Sequence, residues 1–214
     1  MDNKYTVKKL LREGLLLFSI FVLLTIAAVL FIDKPLALII YKNEWDKLSF
    51  LKYISEYPHI TVVGISLLFI IFSKSNSVFC NKLTLIIYIF LLVSLSAFIK
   101  TFLKIIFGRY WPLSWKGNLS LIDNGVFGFN WLCGFNNNGS FPSGHLTFVS
   151  VISFTLFITY SKFKLLAYLF ILTTLCAQVV LNYHFLGDAL SGISLGCLCA
   201  YIGLALYLKV KQLF

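Results

Sequence analysis

The chain has 214 residues, 59% of them hydrophobic and only 12% charged, with a mean hydropathy of +0.90. Ordinary soluble domains hold roughly 45–50% apolar and about 25% charged residues, so a water-soluble domain is excluded. The net charge of +10 comes from 18 Lys and Arg that lie mostly between apolar runs, which speaks for membrane topology and contact with anionic lipid or phosphate; a nucleic-acid partner is not expected.

In chain order, Lys4, Lys8, Lys9 and Arg12 precede an apolar run over 14–32. The run is long enough for a bilayer and lacks a small-residue cleavage site, which predicts an uncleaved first membrane helix. From Asp33 to Tyr57, Leu36, Ile39, Ile40, Leu48, Leu51 and Ile54 alternate with Lys34, Lys42, Lys47 and Lys52, a pattern that predicts short amphipathic helices in the interface. Further membrane helices are predicted over 58–73, 83–104, 142–160, 165–182 and 188–208, six in all, within a single all-α domain spanning 1–214. The loop from Gly108 to Phe141 is longer than a connection between spans requires, and long loops carry function. Within it, Asn136, Asn137 and Asn138 suit an exposed turn, with contact to a sugar or glycerol headgroup as the alternative. The five cysteines are unpatterned, and Cys176, Cys197 and Cys199 fall inside apolar runs, so neither a disulfide framework nor a metal site follows from them.

With the N-terminus inside, ten Lys and Arg fall on the inner side and eight on the outer. Setting Lys100, Lys104 and Arg109 aside as site candidates and discounting the interfacial segment, the positive-inside rule places both termini in the cytoplasm. The same span count brings three polar clusters to the outer face: Lys100, Lys104 and Arg109; Pro142-Ser143-Gly144-His145; and His184 with Asp188. Ionisable groups at span ends are costly unless paired or functional, so this convergence marks a site.

Each cluster has its own chemistry. Pro142 and Ser143 open a helix whose first amides can hold an anion, Gly144 lets backbone approach a ligand, and His145 stands beside it as an acid or base. Alternatively, Pro-Ser merely starts a helix and His145 caps an interface. Asp188 lies four residues after His184, so a carboxylate can hold one imidazole nitrogen and make the other more basic, as a nucleophilic histidine requires. The plainer alternative is an interfacial histidine with Asp188 as a helix cap. Lys104 and Arg109 offer a point charge and a planar fork to phosphate, against a role as snorkelling anchors, the reading preferred for Lys100. Trp111 and Trp115 read as members of an interfacial aromatic belt, with substrate contact as the alternative, and His59 has no acidic or metal-ligand partner at useful spacing.

Together, these residues resemble the type 2 phosphatidic acid phosphatase superfamily, the membrane relatives of vanadium haloperoxidases and acid phosphatases. Its motifs are Lys, six residues, Arg-Pro; then Pro-Ser-Gly-His; then Ser-Arg, five residues, His, three residues, Asp. The resemblance runs from about residue 100 to 192 and keeps Lys104, Pro142-Ser143-Gly144-His145, His184 and Asp188. Two positions depart: Trp111 stands where the family has its first Arg, and Ala177-Gln178 replaces Ser-Arg. The resemblance implies that His184 attacks phosphorus, Asp188 orients it, and His145 protonates the leaving oxygen and then activates water. It further implies that Lys104, Ser143 and Gly144 hold the phosphoryl oxygens, with Arg109 and Gln178 as candidate replacements for the missing arginines, and that no metal or other cofactor is needed. The expected activity is removal of a phosphate or terminal pyrophosphate from a membrane lipid, such as undecaprenyl pyrophosphate, phosphatidylglycerol phosphate, phosphatidic acid or a lipid A phosphate. The alternative is a catalytically reduced relative that binds or moves a phosphorylated lipid. The Ile, Leu, Phe, Lys and Asn bias suggests an AT-rich bacterial genome, hence a bacterial cytoplasmic membrane with the site facing outward.

Overall fold

The computed structural model describes residues 6–56, 58–72, 82–114, 117–132 and 139–211. Of the residues named above, Lys4, Tyr57, Trp115, Asn136, Asn137, Asn138 and the side chain of His59 lie outside the described residues.

The described structure is helical, with two isolated bridges and no strand ladder. Helix α1, Val7–Ala27, is capped by Thr6, whose hydroxyl accepts from the Lys9 N–H. A five-residue π-helical turn, Ala28–Ile32, carries it into α2, Asp33–Lys42, making one element of 36 residues. Pro35 has no N–H to offer Phe31 and its ring crowds that carbonyl, a physical cause for widening the preceding turn. The expected interfacial segment at Asp33 is thereby corrected: the apolar repeat continues the helix, burying Ala37 and Ile40. What remains of that segment is a 3-10 turn at Trp45–Lys47 and the short helix α3, Ser49–Glu56.

Helices α4, Pro58–Phe72, and α5, Lys82–Phe107, follow, then the one-turn α6, Leu121–Asn124, inside the long loop. The last three are α7, Gly144–Thr159, α8, Lys164–Val180, and α9, Leu186–Lys211. Helix α7 begins two residues later than expected, with Ser143 as its N-cap and Pro142 outside it. By length and hydropathy, three helices among the described residues qualify as membrane spans: Val7–Lys42, α5 and α9. The count rises to four if the bent pair Ser49–Ser55 and Ile60–Phe72 is one span. Helices α7 and α8, of 16 and 17 residues, are shorter than the roughly 20 a bilayer requires.

The core forms around α7 and α9. Helix α9 packs against α1 and α7, and α7 also meets α4, α5 and α8. In the most apolar stretch of each helix, 67% of the residues of α9 are buried, against 11% for the first helix and 17% for α5, so those two lie at the periphery of the bundle. The approach of α9 to α7 depends on small residues. A methyl at Gly192 would lie 2.6 Å from the Ser143 carbonyl oxygen, and one at Gly196 2.5 Å from Ser150 Cβ. Buried threonines on α7 return their hydroxyls to the preceding turn: Thr147, Thr155 and Thr159 donate to the carbonyls four residues earlier at 2.7–2.8 Å, leaving those groups satisfied in an apolar setting.

Candidate active site

The C-terminal half of α5, the start of α7, Trp111 of the long loop and the turn before α9 converge on a cavity of about 310 Å³. Its polar end is formed by Lys100, Lys104, Gly144, His145 and His184, and Val93, Ala97 and Phe148 lie on its apolar wall. Ser96, Trp111 and Thr147 complete the lining.

Helix geometry accounts for this convergence. Lys100 and Lys104 are four apart on α5 and so share a face. Helix α8 stops at Val180, where Asn182 takes a positive φ of 52° and the N–H groups of Tyr183 and His184 both donate to the Gln178 carbonyl. That turn swings His184 inward before α9 starts. The Ser143 N–H donates to the Asp188 carbonyl at 2.9 Å, tying the start of α7 to the first turn of α9. Although Ser143 is the N-cap, its hydroxyl makes no capping bond and lies buried without a hydrogen-bond partner. The first amides of α7 are therefore uncapped by that side chain, as anion binding at a helix start requires. A methyl at Gly144 would lie 3.3 Å from Lys100 Cδ, so the bare glycine lets the lysine lie across the helix start.

His184 is buried at 4% exposure, with Nδ1 turned 3.5 Å from Asp188 Oδ2, within ion-pair range but short of a formed hydrogen bond. Burial pushes its pKa below the ordinary imidazole value, outweighing the opposing pull of Asp188, and Lys104 and Arg109 act in the same direction as burial. The ring is neutral near pH 7. Asp188 is itself fully buried, accepting from the Phe185 N–H at 3.0 Å through Oδ2 and from Arg109 Nη1 at 2.6 Å through Oδ1.

Two assignments need correction. Arg109 does not reach the cavity: it is 1% exposed and forks between Asp188 and Asp33, with Nη2 donating to Asp33 Oδ2 at 2.7 Å. Its guanidinium lies 4.6 Å from the centre of the Phe185 ring and 5.0 Å from that of Phe129. Burial works against its charge, but the two carboxylates more than offset this and hold its pKa above the ordinary value. Gln178 is also turned away, donating from Nε2 to Ser55 Oγ at 2.8 Å and so joining α8 to α3. Neither side chain is placed to hold phosphate in the cavity.

Two other residues are more central than their sequence context implied. Trp111 is no belt residue: it is 4% exposed and packs on the His184 ring at 5.0 Å between centroids, while Lys104 Nζ stands 5.0 Å from its ring centre. The long loop fixes it there, since the Trp111 N–H donates to the Leu119 carbonyl and its own carbonyl accepts from Leu121. Lys100, read as an anchor, lines the cavity. Asp33 has no partner near it in the sequence: Arg109, which it accepts from, and Asp188, which shares that guanidinium, are remote in the chain. Its one visible signal is an acidic residue closing the long apolar run over 14–32. Among the described residues, no three His, Cys, Asp or Glu side chains gather as a metal-binding group.

Fold and site thus define a helical membrane protein with a basic, histidine-bearing cavity. The family model of the PAP2 superfamily matches residues 83–212, more than half of the chain and every motif residue named above, and the chain belongs to that superfamily. Among solved structures it is similar to the first transmembrane PAP2-type phosphatidylglycerolphosphate phosphatase from Bacillus subtilis. The identity is 18%, the match covers 98% of this chain and 100% of that one, and the TM-score is 0.44. Comparison with curated proteins returns no match.

Proposed function

We propose that the protein is a metal-independent lipid phosphatase that hydrolyses a phosphomonoester or terminal pyrophosphate through a phosphohistidine on His184. The observation that carries this reading is the composition of one cavity: two lysines and two histidines at one end, and an apolar wall of Val93, Ala97 and Phe148 running from it. A phosphorylated lipid has that same division, charged head and apolar tail. The substrate candidates are undecaprenyl pyrophosphate, phosphatidylglycerol phosphate, phosphatidic acid and a lipid A phosphate. The outward placement of the cavity and the six-span topology belong to the same proposal, with the membrane being a bacterial cytoplasmic membrane and both termini inside.

In the proposed reaction, His184 Nε2 attacks phosphorus as the bond to the leaving oxygen breaks, and His145 gives that oxygen a proton. Asp188 takes up the Nδ1 proton contact, shortening the 3.5 Å approach as the ring becomes cationic. His145 then withdraws a proton from water, which attacks the phosphohistidine, breaking the P–N bond and releasing inorganic phosphate. Lys104, Lys100, the Ser143 hydroxyl and the Gly144 amide hold the phosphoryl oxygens, and preorganised donors of this kind are worth about 10²–10³ in rate each.

A second reading, binding or transport of a phosphorylated lipid without turnover, is favoured by one observation: no arginine fork reaches the cavity, because Arg109 is held by Asp33 and Asp188. The two readings separate on covalent trapping. Detergent-purified protein incubated with phosphate-labelled dioctanoyl phosphatidic acid and quenched in alkali, where phosphohistidine survives, should carry label on His184. His184→Ala should carry none, and His145→Ala should accumulate it. Lipid binding without label or phosphate release would favour the carrier.

A further inference from the structure

Asp33 belongs to none of the three motifs and lies well before the segment matched by the family. It is a carboxylate at 1% exposure in a helix of 36 residues, directly after that helix's apolar run, a costly placement. Two groups remote in the chain hold it, and a π-helical turn leads into it. The π-helical turn Ala28–Ile32 ends on it, the Asp33 N–H donating to the Ala28 carbonyl five residues back, and such turns gather at functional sites. Gly187, in the first turn of α9, gives its N–H to Asp33 Oδ1 at 2.9 Å, and a methyl there would lie 2.6 Å from Oδ2. The other oxygen accepts from Arg109 Nη2 at 2.7 Å.

Both oxygens of Asp33 and both of Asp188 serve as acceptors, the pattern of ionised carboxylates. The buried chain therefore holds two negative charges and one positive. Arg109 paired with Asp188 alone would be neutral, cancelling the charge that faces His184. Asp33 restores it.

Resting on the phosphohistidine reading above, we infer that Asp33 is a positioning residue for the reaction: through Arg109 it fixes Asp188 against His184 and leaves that chain with one net negative charge. This charge stabilises the imidazole as it turns cationic on forming the N–P bond. The charged and titratable groups around His184 are Asp188 from α9, Arg109 from the loop, Lys100 and Lys104 from α5, His145 from α7 and, behind Arg109, Asp33 from the first helix.

The chain has three histidines, so full-length protein labelled at histidine Cε1 in nanodiscs gives three ring signals, assigned through His→Gln variants. The inference predicts that Asp33→Asn lowers the titration midpoint of His184 by about one pH unit, the scale of a nearby charge change. It also predicts that Asp33→Asn with Arg109→Met, which again leaves Asp188 as the single charge, returns the midpoint to the wild-type position. An unmoved midpoint in folded Asp33→Asn, or a double variant displaced as far as the single one, would overturn it. Should Asp33→Asn alone not fold, the double variant decides: a wild-type midpoint supports the inference and a fall of a unit refutes it. With dioctanoyl phosphatidic acid, Asp33→Asn should lower kcat at least tenfold with KM changed less than threefold. A wild type that releases no phosphate from any lipid phosphate would defeat the phosphatase reading, whereas the titration judges Asp33 without turnover.

Discussion

Arg109 and Lys100 exchange the roles that their positions in the chain imply. Arg109 stands beside the place where the family keeps an arginine, yet its fork is taken up by two carboxylates from opposite ends of the chain. Lys100, one turn before the family's motif lysine, lies across the start of α7. Nothing local distinguishes these outcomes, since side-chain direction at residue 109 is set by contacts 76 and 79 residues away. Lys100→Met should lower kcat/KM by about 10–100-fold, the range of a hydrogen bond to a charged group, with Lys100→Arg retaining most activity. Steady-state assays of both variants check this. The neutral His184 has a pH consequence too. Its folded pKa is depressed by burial, so the ring resists a proton that the unfolded chain accepts. Stability should therefore fall as pH drops past the ordinary imidazole value of about 6.5 and level off below the depressed folded value. Turnover should persist on acidification until that same lowered value, then fall as the nucleophile protonates. Thermal melts and rate profiles of wild type and His184→Gln separate this contribution from other groups, because the variant loses the melt component.

At the scale of elements, the apolar runs gave away every long helix, since a bilayer demands unbroken apolar stretches that few other settings tolerate. What the runs concealed was the join at Asp33. A carboxylate and a proline after an apolar run look like a helix end, but Arg109 and Gly187 satisfy the carboxylate and a π-helical turn absorbs the proline, so the helix continues to Lys42. Likewise Trp111 reads as an interface residue until the backbone bonds to Leu119 and Leu121 press it against His184. Glycines on α9 carry a further prediction. Gly192→Ala sets a methyl 2.6 Å from the Ser143 carbonyl oxygen, so α9 and α7 must separate at the level of the cavity. The expected cost is about 1–3 kcal/mol, as for overpacked cores, with a larger loss of activity than of thermal stability because Ser143 moves with the carbonyl. Gly64→Ala, where the added methyl meets nothing within 4 Å, is the control.

At the scale of the whole molecule, the motif order picked out Lys104, Ser143, Gly144, His145, His184 and Asp188 before their geometry was known, whereas the six-span count did not carry over, because only three helices among the described residues, or four with the bent pair, are long and apolar enough to cross a bilayer. The remainder, the Asp33–Arg109–Asp188 chain and the apolar wall beside the lysines, arises only when α2, α5, α7 and α9 are packed. If the six-span topology holds, single cysteines placed at residues 6 and 211 in a background without native cysteines should react with an impermeant maleimide only after the membrane is opened. A cysteine at residue 117 should react in intact cells, and the reverse pattern would invert the bundle. The central claim is catalysis by His184 on a lipid phosphate. The most direct test is phosphate release by the detergent-purified protein in the presence of a metal chelator, across lipid monophosphates and pyrophosphates, beside a folded His184→Ala variant. Release by the wild type alone is the predicted result. No release by either protein while both bind the lipid, or equal release by both, would contradict the account.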